Sequence, residues 1–415
     1  MTLYQKLLKR EEENNPIKVG VIGAGQMGRG MIAQISTIPG MIVSAISDIN
    51  TDAAQEAADA YNSSAKEKLD ILITSDFKEV INNSEVEVVV EATGVTEVGA
   101  QVAMQALIAH KHLVLLNVEI DITVGPLMHK LFNSSGLVYT GSDGDEPAAI
   151  VELYEFAKSM GMKVLVAGKG KNNKLKEYAN PDSAKEEANQ KHMNPHMLAS
   201  FQDGTKTMAE MNLLSNAIGF VPDITGMHGI SANLEETVER LNIESEGGIL
   251  NNFGVVEYVD GLAPGVFVIV EGQNEFVKNE LNYLMKKGEK NHHILYRPFH
   301  LASLETPRTI AKAILEKDHA IVPLGKPVSD TVAFTKKDIK KGEVIDGIGG
   351  YCVRGIIEKH EETVGKNHIP IGLLVGNCVA KRDISKDEFL TSDDVELDQD
   401  TVVYKLRKLQ DQMLG

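Results

Sequence analysis

The stretch IKVGVIGAGQMGRGMIAQI, Ile17 to Ile35, decides the fold class. It runs from a short apolar strand into a glycine turn and then into a helical pattern. Gly23, Gly25 and Gly28 form G-x-G-x-x-G in the strand–turn–helix setting that the motif requires. Gly23 permits the tight turn, Gly25 lets backbone approach a pyrophosphate, and Gly28 lets helix and strand pack closely. Gln26 and Met27 lie inside the turn, where the first N–H groups of the helix would face the phosphates. A second apolar strand, MIVSAISD, ends at Asp48, 20 residues after Gly28, the position of a ribose-binding acid.

Working outward, the α/β alternation continues. DILIT, VEVVVEATG (Val86–Gly94), HLVLLNVEID (His112–Asp121) and GLVYTG (Gly136–Gly141) read as further parallel strands, separated by helical stretches such as EVGAQVAMQALIAH. The expected fold is α/β: an N-terminal Rossmann domain with a doubly wound parallel sheet, an α+β substrate domain, and a small β-rich C-terminal domain. Ligands of such sheets sit at the carboxyl ends of the strands. That places Thr93, Gly94, Asn117, Glu119 and Asp143 around the nicotinamide end of a dinucleotide. Asp48 would accept from both ribose hydroxyls of NAD and repel the 2′-phosphate of NADP. No Arg or Lys follows in DINTD, although Arg29 in the turn is within reach of a phosphate.

Composition bounds the rest. A chain of 415 residues is too long for one core, and about two or three domains are expected. A net charge of −17 argues against general affinity for nucleic acid or anionic membranes. No apolar run reaches membrane-spanning length, and MTLYQKLLKREEENNP reads as a charged helical lead-in without a secretory core. Two cysteines, Cys352 and Cys378, fit a reducing compartment and lack zinc-site spacing. The expectation is a cytoplasmic protein, homo-oligomeric, whose partner is a small molecule.

Polar residues gather in the middle of the chain. In SDGDEP, Asp143 and Asp145 flank a glycine ahead of an amphipathic helix. Either they are acids favouring a helix dipole, or they hold a divalent cation (Mg or Mn) or a substrate hydroxyl. MKVLVAGKGKNNK ends a strand in Lys169 and Lys171, separated by a glycine, which reads as a low-bulk cationic loop for an anionic or carbonyl-bearing ligand, or as a solvated one. In SFQDGTKTMAEMN, Lys206 and Glu210 share nearly one helical face, with Asp203 just before them. The next turns of that face are apolar, and the order Lys-then-Glu at i,i+4 is the less favourable one for a solvated helix. The alternatives are an N-capping Asp203 with a surface ion pair, or a catalytic cluster of Asp203, Lys206 and Glu210. ILYRPFHL adds Arg297 and His300, able respectively to fork onto an anion and to titrate near neutrality.

From about residue 325 the texture turns to short β-like runs. KKDIKKGEVI (Lys336–Ile345) recurs 45 residues later as KRDISKDEFL (Lys381–Leu390). The expected spans are 1–150 for dinucleotide binding, 151–325 for substrate, 326–400 for the β-rich module and 401–415 for a terminal helix.

Together, VGVIGAGQMGRG, LLNVEID, GSDGDEP, AGKGK, SFQDGTKTMAEMNLLSNAIG and YRPFHL resemble the homoserine-dehydrogenase-like oxidoreductases with a C-terminal SAF domain, in particular the deoxyxylulose phosphate reductoisomerase-like (DRL) enzymes. The resemblance implies NAD- or NADP-dependent reduction, coupled in some members to rearrangement of a hydroxyketone. It implies a sugar phosphate or sugar acid as substrate. It assigns Gly23, Gly25 and Gly28 to the cofactor, and Asp143, Asp145, Lys169, Lys171, Asp203, Lys206 and Glu210 to the substrate pocket. Competing readings are a sugar-acid oxidoreductase or oxidoisomerase, a homoserine-dehydrogenase-like enzyme, and a redox sensor that binds NAD(H) without turnover.

Overall fold

Six parallel strands form the first sheet: β1 (Ile17–Ile22), β2 (Met41–Ser47), β3 (Leu72–Thr74), β4 (Val88–Glu91), β5 (His112–Leu115) and β6 (Tyr139–Gly141). They come from a computed structural model that describes residues 1–191, 193–285 and 291–414. The strand order is β3-β2-β1-β4-β5-β6, so the chain reverses its winding between β1 and β4. Helices α1 (Leu3–Glu12), α2 (Gln26–Ile35), α3 (Thr51–Ser64), α4 (Phe77–Asn82), α5 (Thr96–Ile108) and α6 (Val118–Ser134) accompany it. The strands are apolar and buried, as a parallel sheet covered on both faces requires. This sheet, residues 301–325 and residues 400–415 make up one of two units of the chain.

One strand is shorter than the sequence implies. The run His112–Asp121 is strand only to Leu115, and Val118 already opens α6. Asn117 ends the strand because its side chain accepts from the Ile120 N–H, capping the helix. Glu119 therefore lies in a helical first turn, where its charge suits the dipole. The terminal helix Val402–Leu414 is fastened to the same unit by Glu97, whose two oxygens accept from the N–H groups of Val402 and Val403 at 3.0 Å each.

The second unit comprises residues 146–300 and 326–399. Its sheet runs β12-β11-β7-β10-β8, with β9 also paired to β10. The strands are β7 (Lys163–Gly170), β8 (Val221–Pro222), β9 (Ile230–Ser231), β10 (Val255–Asp260), β11 (Val266–Glu271) and β12 (His292–Arg297). Alternation along β11 divides two cores: Val266, Val268 and Val270 face one, Phe267 and Ile269 the other. The first core is closed by α7 (Glu146–Ser159) and by α10 (Thr205–Ile218), which follows α8 (Pro181–Gln190) and α9 (Pro195–Gln202). The β-rich module adds the antiparallel ribbon of β13 (Ser329–Thr335) and β14 (Val353–Lys359), with the two repeats bridged at Ile339 and Ile384. Among the described residues, no helix is long and apolar enough to cross a membrane.

Candidate active site

In the first unit the glycine turn is open where a ligand would enter and closed elsewhere. A Cβ on Gly25 would meet nothing within 4 Å, whereas one on Gly28 would stand 2.0 Å from the Gly23 carbonyl oxygen. Gly23 itself has φ +100°, a conformation that favours glycine. No side chain caps α2, so its first N–H groups, in the Gln26–Met27 turn, remain for an anion. Asp48 is fixed at the end of β2: one oxygen accepts from the Ala24 N–H at 2.7 Å and the other from Asn50 N–H at 2.8 Å. Arg29 pairs with Glu56 at 2.9 Å. These residues fit a dinucleotide.

Thr93 and Gly94 follow β4, and Asn117 follows β5, at the sheet's carboxyl edge. Glu91, which the sequence reading passed over, is buried behind Thr93 and accepts from its N–H and hydroxyl. Asp143 lies beyond β6, its N–H donating to Thr309 Oγ1 at 2.8 Å. Its Oδ1 meets Arg308 at 3.1 Å and Lys312 at 3.0 Å. Both cations meet the one oxygen and offset its charge, while Oδ2 is buried without a hydrogen-bond partner among the described residues. Asp145 is half-buried, and its N–H donates to the Ser142 carbonyl at 3.2 Å.

The second unit gathers the central lysines. Lys169 is the penultimate residue of β7 and Lys171 follows the strand; they are 3% and 6% exposed. The cationic loop read from the sequence is therefore a buried strand end. The glycines on either side of Lys169 answer to packing: a Cβ on Gly168 would stand 2.2 Å from the Glu257 carbonyl oxygen, and one on Gly170 2.2 Å from Ala263 N. Lys169 Nζ donates to Glu146 Oε1 at 2.7 Å and to Glu210 Oε2. The same Glu146 oxygen accepts from Asn172 Nδ2 at 2.7 Å and lies 3.3 Å from His300 Nε2.

Charges in this cluster oppose one another. Burial pulls the Lys169 ammonium down, but Glu146 and Glu210 outweigh it and hold it above its ordinary value. Burial, then the neighbouring Glu146, pushes the Glu210 carboxyl up, while Lys169 and Lys206 pull it down. Lys169 thus stays charged, and Glu210 is the group placed to keep or release a proton. Lys171 differs: burial and the charge of Lys169 depress it. Among the described residues its ammonium makes one hydrogen bond, to the Phe201 carbonyl at 3.4 Å, while the carboxylates of Glu210, Asp203 and Asp260 act on it through space.

Asp203 acts on Lys171 through space but is bonded to other partners. It ends α9, Gly204 (φ +92°) turns the chain, and α10 begins at Thr205. Asp203 Oδ1 accepts from Thr205 N–H at 2.9 Å, and Oδ2 accepts from Lys336 Nζ at 3.0 Å. Lys336 also donates to the carbonyls of Ala179 and Gly350 at 2.7 and 2.6 Å. Asp203 is thus both a cap for α10 and the anchor of the β-rich module. Arg297, the last residue of β12, lies opposite Val266 of β11, as Lys169 of β7 does on the other side, and it pairs with Glu152 at 3.2 Å and stacks 4.7 Å over Phe299. Glu146 and Asn172 are members of the cluster that sequence reasoning missed. Glu146 was visible only as an acid before a proline at a helix start, a pattern that ordinarily marks a dipole-favouring end.

Three family models match the chain. Residues 17–115 match "Oxidoreductase family, NAD-binding Rossmann fold", residues 144–306 "Oxidoreductase DRL, catalytic domain" and residues 330–396 "SAF domain". Inositol 2-dehydrogenase of Salmonella typhimurium is 35% identical over 98 residues, 23% of this chain and 27% of that protein. The uncharacterized oxidoreductase YrbE of Bacillus subtilis is 32% identical over 97 residues, 23% of this chain and 26% of that protein. The chain thus spans about a quarter of the length of the curated relatives it matches. A probable dehydrogenase from Thermotoga maritima is similar at 16% identity and TM-score 0.44, over 74% of this chain and 91% of that one. Segment by segment, the chain resembles an NAD-binding Rossmann domain, the catalytic domain of DRL oxidoreductases and a SAF domain, in that order.

Proposed function

We propose that this chain is an NAD(P)-dependent oxidoreductase of a small polyhydroxylated molecule. The observation that carries the reading is the buried Lys169, held between Glu146 and Glu210 with the depressed Lys171 beside it in sequence. All four residues fall in the segment that resembles an oxidoreductase catalytic domain. A cluster serving stability alone would not bury a second lysine whose one hydrogen bond is to a carbonyl and whose charge burial and Lys169 oppose.

Gly23, Gly25, Gly28 and Asp48 would hold the dinucleotide, which when bound supplies or takes up a hydride. NAD is the favoured form, because Asp48 is fixed where a 2′-phosphate would meet its charge and Arg29 is engaged by Glu56. The chain's own residues handle the accompanying proton. Lys171, held below its ordinary value by burial and by Lys169, takes a proton from a substrate hydroxyl or gives one to a carbonyl oxygen. Lys169 supplies a fixed positive charge for the oxygen on which negative charge develops. Glu210 exchanges the proton onward, and Lys206, one turn before it, tunes it and polarises the carbonyl. His300 and Asn172 orient Glu146.

The inositol dehydrogenase relatives favour a polyol, although their likeness is confined to 98 residues. The resemblance to the deoxyxylulose phosphate reductoisomerase-like enzymes points instead to a ketose phosphate and a reductoisomerase step, or to a sugar acid. Thermal-shift measurement with NAD, NADP, polyols, sugar acids and ketose phosphates separates these. Stabilisation by NAD and by one substrate class is expected, and stabilisation by neither dinucleotide would retire the proposal.

A further inference from the structure

Beneath the carboxyl edge of the first sheet lies a group of buried acids with no part in the chemistry above. Glu91, the last residue of β4, is fully buried, in register with Ile22 of β1 and Leu115 of β5. One oxygen accepts from the Thr93 N–H at 2.9 Å and from the Thr93 hydroxyl. The other, Oε2, is buried without a hydrogen-bond partner among the described residues. Glu119 of α6 acts on it as a like charge. Glu91 in turn acts on Tyr139 of β6, whose hydroxyl donates to Asp121 of α6 at 3.3 Å. The Asn117 amide is the remaining polar neighbour.

The place matters as much as the company. The sheet reverses its winding between β1 and β4, and ligands of such sheets bind in the crevice at that reversal. Gly23 and Thr93 border the crevice: a Cβ on Gly23 would stand 3.0 Å from the Thr93 N. Glu91 holds Thr93 from behind. Burial, with the charge of Glu119, pushes the Glu91 carboxyl up to about 7, against the bonds from Thr93 and the nearby Asn117 amide. It therefore changes charge near neutrality, under a site whose ligand changes charge on reduction.

We propose that Glu91 is a positioning residue that couples the redox state of a bound nicotinamide to a proton. The oxidised ring is cationic and favours ionised Glu91, whereas the reduced ring is neutral and does not. Raising the pH should then tighten NAD⁺ relative to NADH. This rests on the dinucleotide reading of the first unit.

The test is the pair of dissociation constants, measured on the full chain from about pH 5.5 to about pH 8.5. NADH is followed by its own fluorescence and NAD⁺ by competition against it. In the wild type the ratio of the two constants is expected to change by about tenfold, with its midpoint near neutrality. Glu91→Gln, which cannot ionise, should flatten the ratio. Thr93→Val removes a hydroxyl that favours the ionised form, so the midpoint should move to higher pH. A flat ratio in the wild type, or the same pH dependence in Glu91→Gln, overturns the proposal. Should Glu91→Gln fail to fold, an unmoved midpoint in Thr93→Val overturns it instead. Binding with a flat ratio defeats this inference alone, whereas binding of neither dinucleotide at any pH defeats the reading beneath it as well.

Discussion

Lys169 and Lys171 are two residues apart, both buried, and do opposite things. Lys169 compensates two carboxylates. Lys169→Met is therefore expected to lower stability by about 3–5 kcal/mol in urea unfolding, because Glu146 and Glu210 would be left buried without a counter-charge. Lys171→Met should leave stability unchanged or raise it, since a poorly partnered buried amine becomes a thioether, while turnover falls about 10²–10⁴-fold. Equal stability losses in the two variants would refute this division. Asp121 gives a pH prediction: burial pushes its carboxyl up to about 7, against an ordinary 3.8. Between those values the folded chain binds more protons than the unfolded one, so stability falls as pH rises through that window. Asp121→Asn removes the loss and should raise the melting temperature at about pH 8 by a few degrees, with little change at about pH 4. Residue types were legible in the sequence; burial was not. Nothing local in AGKGK tells that its lysines end a strand whose glycines are set by close contacts with Glu257 and Ala263.

Among the elements, the α9–α10 junction joins capping to domain anchoring. Asp203 and Lys336 lie 133 residues apart and meet at 3.0 Å, fully enclosed. Asp203→Ala is expected to cost about 3–5 kcal/mol, and Lys336→Met a similar amount. The double variant should cost less than the sum, because removing both partners leaves no stranded charge. Strict additivity would show the pair to be incidental. The opening of α10 was readable from SFQDGTKTMAEMN through its spacing and apolar face. The partner of Asp203 was not, since helical spacing reports which residues share a face and says nothing of a lysine in a distant module. The same limit shortened the strand at His112–Asp121, where Asn117 caps a helix that begins inside an apolar run readable either way.

For the molecule as a whole, the order of a Rossmann sheet, a second sheet and a β-rich ribbon follows the alternation and the repeat seen in the sequence. Periodicity carries that information because each layer must bury its own apolar face. Less legible was the division of the chain: residues 301–325 and the terminal helix join the first unit through contacts distant in sequence, such as Glu97 with Val402. The reading of the whole stands on dinucleotide-dependent chemistry assisted by Lys171. It is tested most directly by following nicotinamide absorbance as the full chain meets NAD with polyols and sugar acids, or NADH with ketose phosphates, in the wild type and in Lys171→Met. The predicted result is turnover of one substrate class, reduced about 10²–10⁴-fold in the variant while the variant still binds NADH. A wild type that binds neither dinucleotide, or a variant that turns over as fast as the wild type, would contradict it.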